Sequence, residues 1–388
     1  MTAPDFLGLC LGLLSTAKMH IVATTIWLPR FLDSYLDNLR RYGHIDDVKI
    51  WVVGDHKTPR ESADYAARMR GEGLAVEYLD PESQKSWLSG YPDLAAIVPW
   101  NSDNRRNVGF LRALEEGCEV LVSIDDDNFA IERSDFYSGH LHTGKTIDVE
   151  VIGSEAGWYN ICEELHLNPP IDAIPRGYPY QKKGSPHQSA GTRRRAVVAN
   201  AGLWLGDPDV DAATRLTCRL EATGARERQI ALHPGTWSPI NTQNTSVARR
   251  AIPAYYYVRM LEDLPGAKLD RYGDIWSGYF LTRCAEHLGE CIAVGLPLVQ
   301  HNRNQHDLMS DLRAEIWGMV VTPHIIDALR DSTLTGSNYS EATRSLAACL
   351  AKRAKEIEQR VRLTGIADYI ARIGQYLNVW VDVCGEFS

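Results

Sequence analysis

Along the first third of the chain, apolar residues alternate between short continuous runs and runs spaced by three and four. Residues 20–26 (His-Ile-Val-Ala-Thr-Thr-Ile) predict a buried strand, and Phe31, Tyr35 and Leu39 within 28–42 predict a helix. The pattern repeats with a strand over Ile50–Val53, a helix from about Glu61 to Met69, a strand over Leu74–Leu79, a helix over Val108–Leu114 and a strand over Val120–Ile124. Such alternation predicts an α/β fold with a mostly parallel sheet covered on both faces. After Phe129 the pattern loosens, with strand candidates at Val149–Ile152, Val197–Trp204 and Ile292–Val294. The stretch Lys182–Arg195, rich in Gly, Ser and basic residues, predicts a mobile loop that would serve as a lid. Near the end, Leu346, Leu350, Ile357 and Val361, then Ile366, Ile370, Ile373 and Leu377, predict two helices broken at Gly365. The chain therefore divides into an extension at 1–18, with Met19 an alternative beginning, a main domain at 19–335 and a helical segment at 336–388 packed on it.

Composition narrows the class. With 388 residues and 44% hydrophobic content the chain has material for a large core. A net charge of -9 disfavours a nucleic-acid partner, because binding a phosphate backbone needs a cationic face. The eight cysteines include no CxxC pair, which excludes a zinc ribbon and fits reduced thiols in a cytoplasmic protein. The apolar run Phe6–Leu14 is preceded by Asp5 and by no Lys or Arg, unlike a signal peptide. No run reaches the roughly 20 apolar residues of a membrane span.

The strongest chemical signal is Val120–Phe129, where an apolar strand runs into Asp125, Asp126 and Asp127. Ligands of open α/β sheets bind at the carboxyl ends of strands. Adjacent carboxylates repel one another, and Mg²⁺ or Mn²⁺ would relieve that repulsion while bridging to a diphosphate. The alternative is a solvated acidic turn helped by Asp127 and Asn128. A nicotinamide site is disfavoured, since the first strand leads into Ile26-Trp27-Leu28-Pro29 without a glycine fingerprint.

Six segments then occur in a familiar order: Val22-Ala-Thr-Thr-Ile26; Asp125–Asp127; Arg176-Gly-Tyr-Pro-Tyr180; Gly202-Leu-Trp-Leu205 with Pro208–Ala212; Arg271-Tyr-Gly-Asp-Ile-Trp276; and Gly295-Leu-Pro297 leading to His301. From about residue 20 to 380 the chain resembles the reversibly glycosylated polypeptide family, the plant UDP-arabinopyranose mutases and their relatives. The resemblance implies a GT-A-like (Rossmann-like) nucleotide-sugar-binding fold with a mixed central sheet and C-terminal helices. It implies a UDP-sugar bound with Mn²⁺ (or Mg²⁺), flavin-independent interconversion of pyranose and furanose forms, and reversible glycosylation of a protein arginine. The family's habit of forming complexes suggests a homo-oligomer. Two other readings stand beside the mutase: a retaining glycosyltransferase acting on a small-molecule or glycan acceptor, and a non-catalytic nucleotide-sugar-binding subunit. Gly273 replaces the first aspartate of the plant Arg-Tyr-Asp-Asp-Met-Trp, and Ala201 the histidine of His-Gly-Leu-Trp. The stretches before Arg176 and over 181–195 are also longer than in the plant proteins.

The resemblance also distributes roles. Asp125 and Asp127 match the metal-diphosphate pair, Asp126 lies with them on the substrate, and His301 would complete the metal shell; the alternative for a lone histidine is packing. Arg303 would hold a diphosphate oxygen. Arg176 matches the glycosylated arginine, although a protonated guanidinium is a poor nucleophile and needs a carboxylate neighbour; otherwise it clamps the diphosphate. Arg106 would reach phosphate or uracil, or be an exposed charge at a helix start. Thr24, Thr25 and Asp55, at strand ends, would face the nucleoside half or simply cap their strands. Asp274 and Trp276 match a segment that sets a carboxylate and an indole against the sugar, against the alternative of an N-cap and a core tryptophan. Trp204, Asp209, Asp211 and Asn244 would belong to the same wall.

Overall fold

The computed structural model describes residues 18–260, 262–304 and 307–387, so the extension expected at 1–18 lies outside the described residues except for Lys18. The first half alternates as the pattern predicts: β1 (Met19–Thr24), α1 (Phe31–Tyr42), β2 (Val48–Val53), α2 (Glu61–Gly71), β3 (Ala75–Leu79), α3 (Pro81–Leu88), α4 (Pro92–Ile97), α5 (Arg106–Glu115) and β4 (Val120–Ile124). In β2 and β4 every residue is buried, as parallel strands covered on both faces require. Helix α1 buries Phe31, Leu32, Tyr35, Leu36 and Leu39 along one stripe. It stops at Gly43, whose φ of 77° lets its N–H turn back to the carbonyls of Leu39 and Arg40.

The chain continues through β5 (Asn128–Ala130), α6 (Phe136–His140), β6 (Thr146–Gly153), β7 (Leu165–Asn168), β8 (Gln188–Ala201), β9 (Trp204–Gly206), α7 (Ala212–Thr217), β10 (Glu221–Ala225), β11 (Gln229–Leu232) and β12 (Asn244–Ala248). After a two-stranded ribbon of β13 (Glu262–Leu264) and β14 (Ala267–Leu269) come α8 (Gly273–His287), β15 (Cys291–Gly295), β16 (Val299–His301), α9 (Leu308–Arg330), α10 (Tyr339–Val361) and α11 (Ile366–Glu386). The main sheet has nine strands in the order β15-β11-β6-β8-β12-β4-β1-β2-β3. It is parallel from β4 to β3 and again between β11 and β6, while β12 runs antiparallel to both β4 and β8. Strand β15 also pairs with β8, so β15, β11, β6 and β8 close on themselves. Val149, Val151, Val197, Ala231, Cys291 and Ala293 form a separate small apolar cluster on one face of these four strands. Alternate residues such as Ile152, Ile230, Leu232, Ile292 and Val294 join the main core on the other face. A second sheet, β5-β16-β9-β10-β7, lies beyond the carboxyl end of β4.

The fold is thus α/β with a mixed central sheet and C-terminal helices. One expectation is corrected. Most of Lys182–Arg195 is not a loop, because residues 188–195 are the outer half of β8, paired with β6 from Thr146↔Ala196 to Gly153↔Gln188. Both faces of this arm meet solvent, so it has no alternation of apolar and polar residues, and only the backbone ladder defines it. Helix α8 escaped notice for the opposite reason: it is buried on nearly all sides and offers no polar stripe to set the period. Helices α10 and α11 pack as a pair, with Trp380 Nε1 donating to the Ile252 carbonyl at 3.1 Å. Among the described residues no helix is long and apolar enough to cross a membrane.

Glu164, fully buried before β7, ties the two sheets together. It accepts from Arg228 Nε at 3.0 Å, from Arg228 Nη2 at 2.7 Å and from the Tyr159 hydroxyl, while Arg228 also reaches Glu150 at 3.1 Å. Burial opposes its charge, but Arg228 and Tyr159 hold the carboxyl below its ordinary pKa. A lowered carboxyl pKa stabilises the fold above the unfolded value of about 4.3, and that contribution is lost as pH falls through the folded value. Glu164→Ala is expected to cost about 3 kcal/mol at pH 7 by urea unfolding, and the gap from wild type to narrow below about pH 4.

Candidate active site

The carboxyl ends of β1, β2 and β4 open into a cleft of about 450 Å³. Twelve of the residues singled out from the sequence line it: Thr24, Thr25, Asp55, Arg106, Asp125, Asp126, Asp127, Arg176, Asp209, Asp274, His301 and Arg303. The three aspartates take three different partners. Arg106, buried at the start of α5 rather than exposed, donates to Asp125 Oδ1 at 2.6 Å, to Thr24 Oγ1 at 3.2 Å, to Ser123 Oγ at 3.0 Å and to the Thr242 carbonyl at 2.9 Å. Thr25 Oγ1 donates to Asp126 and also accepts from the Trp27 N–H at 2.9 Å, so it caps its strand while facing the cleft. Burial pushes Asp126 up to about 7 even against that donated bond. Asp55 accepts from the His56 N–H at 2.6 Å and the Ser102 N–H at 3.3 Å, which fixes its carboxylate at the cleft wall.

Asp127 meets His301. Antiparallel pairing of β16 with β5 sets His301 opposite Asn128, beside Asp127, and parallel pairing with β9 sets it opposite Gly206. His301 Nδ1 then bonds the Asp207 carbonyl at 2.5 Å, leaving Nε2 3.4 Å from Asp127 Oδ2. Burial disfavours the imidazolium, yet Asp127 raises the His301 pKa; burial likewise raises Asp127, yet His301 and the Asn304 N–H bring it below its ordinary value. An imidazole whose Nδ1–H is committed to a carbonyl and whose Nε2 faces a carboxylate has the orientation of a metal ligand. Among the described residues no three or more His, Cys, Asp or Glu side chains converge as a cation site. Asp125, expected as a third ligand, faces Arg106 instead. The residues present fit a hard divalent cation only as a pair, with Asp127 and His301 the two side chains that would hold it.

At the other end, Arg176 lies beside Asp209 because Pro175 bridges to Val210, and its N–H donates to the Asp209 carbonyl at 3.1 Å. Its guanidinium spends every N–H. Nε and Nη2 donate to Asp209 at 3.3 and 3.2 Å, Nη1 and Nη2 to Asp274 at 3.0 and 2.8 Å, and Nη1 also to the Arg271 carbonyl. Burial disfavours the cation, but the two carboxylates raise the Arg176 pKa well above normal. In turn burial disfavours the Asp209 anion, but Arg176 and Arg215 hold its pKa well below normal. Arg271 sits at a φ of 60°, a left-handed conformation costing about 1–2 kcal/mol for a side chain with a Cβ. Glu315 at 3.0 Å and Asp311 at 3.4 Å on α9 hold it there. Asp311 also accepts from Arg303 at 2.7 Å.

Four assignments to the cleft wall are corrected. Trp276 follows Asp274 by two residues on α8, roughly 200° around the helix, so it points into the core, where Nε1 donates to Thr322 at 2.9 Å. Asp211 caps α7, accepting from the Thr214 N–H at 2.9 Å. Asn244 is spent on the carbonyls of Leu203 and Pro297, and Trp204 is buried behind Arg176 rather than in the cleft. Asp274 is not an N-cap, since Tyr272 holds that position and the Asp274 carboxylate faces Arg176. Sequence reading missed Asp103, Arg215, Tyr257 and Arg271 in the cleft. Arg271 stood in a quoted motif and Asp103 beside Arg106; nothing local marks Arg215 or Tyr257.

The fold and cleft define an α/β protein with an acidic, arginine-lined ligand site at the edge of its sheet. Residues 172–387, more than half of the chain, match the family profile described as reversibly glycosylated polypeptide, and the chain belongs to that family. Arg176, Asp274 and His301 fall inside the match and the three aspartates before it. The chain is 26% identical over 215 residues to probable UDP-arabinopyranose mutase 1 of Solanum tuberosum, covering 55% of this chain and 53% of that one. It is 26% identical over 214 residues to UDP-arabinopyranose mutase 1 of Arabidopsis thaliana, covering 55% of each. The matched stretch spans about half the length of these curated relatives. Among solved structures, glucosyl-3-phosphoglycerate synthase from Mycobacterium tuberculosis, in complex with Mn²⁺, UDP-glucose and phosphoglyceric acid, aligns with a TM-score of 0.38 at 12% identity. That alignment covers 85% of this chain and 84% of the other, and it is too distant to add to the fold described above.

Removing Arg106 leaves Asp125 without its counter-ion. Arg106→Met is expected to cost about 2 kcal/mol in urea unfolding, less than a fully buried pair because Asp125 is partly open to the cleft, and adding Asp125→Asn should restore part of that loss.

Proposed function

We propose that the chain is a UDP-sugar enzyme, most simply a flavin-independent mutase that interconverts pyranose and furanose forms of a UDP-linked sugar. The observation that carries this reading is the cleft itself, in which a carboxylate–histidine pair at one end faces a carboxylate-clamped arginine, Arg176, at the other. Family membership and the names of the plant relatives support the same substrate class. Asp127 and His301 would hold Mn²⁺ or Mg²⁺, which when bound offsets the charge of the diphosphate. Arg303 and Arg271, anchored from behind by Asp311 and Glu315, turn guanidinium toward the same oxygens. Asp55, Thr24 and Thr25 line the nucleoside half, and the Arg106–Asp125 pair fixes the floor between.

In the mutase reading the bond between the anomeric carbon and the diphosphate breaks, and a nitrogen of Arg176 forms a new bond to that carbon as its proton passes to Asp274 or Asp209. Ring opening and closure through a different hydroxyl then precede return of the sugar to UDP, when the carboxylate gives the proton back. A second reading draws on the saturation of Arg176. Because all five N–H groups are engaged, Arg176 must release a carboxylate before it can attack; as a fixed clamp it would suit a retaining glycosyltransferase that passes the sugar to a small-molecule or glycan acceptor.

With Mn²⁺ and a panel of UDP-pentoses and UDP-hexoses, the mutase yields a new UDP-sugar peak on anion-exchange chromatography without net release of UDP. UDP release that rises only with an added acceptor would replace it with the transferase reading, and binding without turnover with a non-catalytic subunit. Asp127→Asn and His301→Ala are expected to weaken metal-dependent donor binding by tenfold or more in calorimetry, while metal-free UDP binding changes little.

A further inference from the structure

Tyr257 and Trp27 both line the cleft, but where Trp27 is largely exposed, Tyr257 is held in place by a dedicated scaffold, and its hydroxyl has no hydrogen-bond partner among the described residues. Its backbone is clamped on both sides. The N–H donates to Asn107 Oδ1 at 2.9 Å, and the carbonyl accepts from Asn107 Nδ2 at 2.9 Å and Asn104 Nδ2 at 2.6 Å. Both amides are buried on the turn that opens α5, next to Arg106, whose guanidinium lies 5.8 Å from the ring centroid. On the opposite side the ring lies against Gly273. A Cβ there would approach the ring's Cε1 to 2.8 Å and the Val258 carbonyl oxygen to 2.3 Å, so this first residue of α8 has to be glycine for the ring to keep its place. The next residue, Asp274, holds Arg176.

The ring therefore stands between the Arg106–Asp125 floor and the Asp274–Arg176 clamp, where the sugar of a bound nucleotide sugar would sit. Burial, with Asp103 and Asp274 near, raises the phenol well above its ordinary pKa and keeps it protonated, able both to donate and to accept. The neighbouring Tyr255 shows the contrast, since its hydroxyl is spent on the Asn241 carbonyl at 2.9 Å. We infer that Tyr257 is a specificity-determining residue whose hydroxyl hydrogen-bonds a hydroxyl of the donor's sugar, with Gly273 conserving the space that aims it. This inference rests on the UDP-sugar reading above.

Calorimetry with Mn²⁺ on wild type and Tyr257→Phe, using UDP, the UDP-pentoses and UDP-hexoses of the panel, and deoxy analogues of the sugar that binds best, tests it. The expected result is unchanged affinity for UDP, a fivefold to tenfold loss for the full UDP-sugar, and loss of discrimination against one deoxy analogue. Gly273→Ala, which displaces the ring, should give the same pattern and add nothing in the double variant. Equal losses for UDP and UDP-sugar, or no change in either, would overturn the inference. If wild type gains nothing from the sugar of any panel member over UDP alone, the UDP-sugar reading itself fails, and this inference with it.

Discussion

The double clamp on Arg176 is the interaction on which the geometry of the cleft depends. A guanidinium this buried is tolerable only when its charge and all of its donors are met, and here Asp209, Asp274 and the Arg271 carbonyl meet them. These partners come from three places: the bridge beside the second sheet, the first turn of α8, and a left-handed residue held by α9. Locking one side chain therefore fixes the positions of three segments relative to one another. Glu315 extends the arrangement outward, bonding Arg271 with one oxygen and the Ala212 N–H with the other, so that α7 and α9 brace the same corner.

At the opposite end the same requirement is met differently. Three consecutive carboxylates at the end of β4 cannot share one partner, and the fold disperses them to Arg106, Thr25 and His301. Only the last meets a group suited to a cation, so in the proposed reading Asp127 and His301, and not all three carboxylates, would hold it. The register of β16 between β5 and β9 sets this pair, so the second sheet exists as much to deliver His301 as to extend the core.

Much of this was legible in the chain. The acidic end could be read because a wholly buried strand ending in carboxylates places them at the sheet edge, whatever follows. Arg176 and Asp274 came only from the resemblance, since 98 residues separate two side chains that touch. Tyr257 and Arg215 carried no local mark, because what brings them to the cleft is the packing of distant segments. Trp276 was misplaced by treating a motif as a surface, although helical geometry puts residues two apart on different faces. The outer half of β8 was misread because a strand solvated on both faces has the composition of a loop.

The central claim is that Arg176 stands at the reacting carbon. Its most direct test is rapid acid quench of the protein with Mn²⁺ and its preferred UDP-sugar, followed by mass analysis of the peptide that contains Arg176. The account predicts a sugar-mass adduct on that peptide that disappears when excess UDP is added before the quench. Turnover with no adduct on Arg176, or an adduct on another residue that persists in Arg176→Lys, would contradict it.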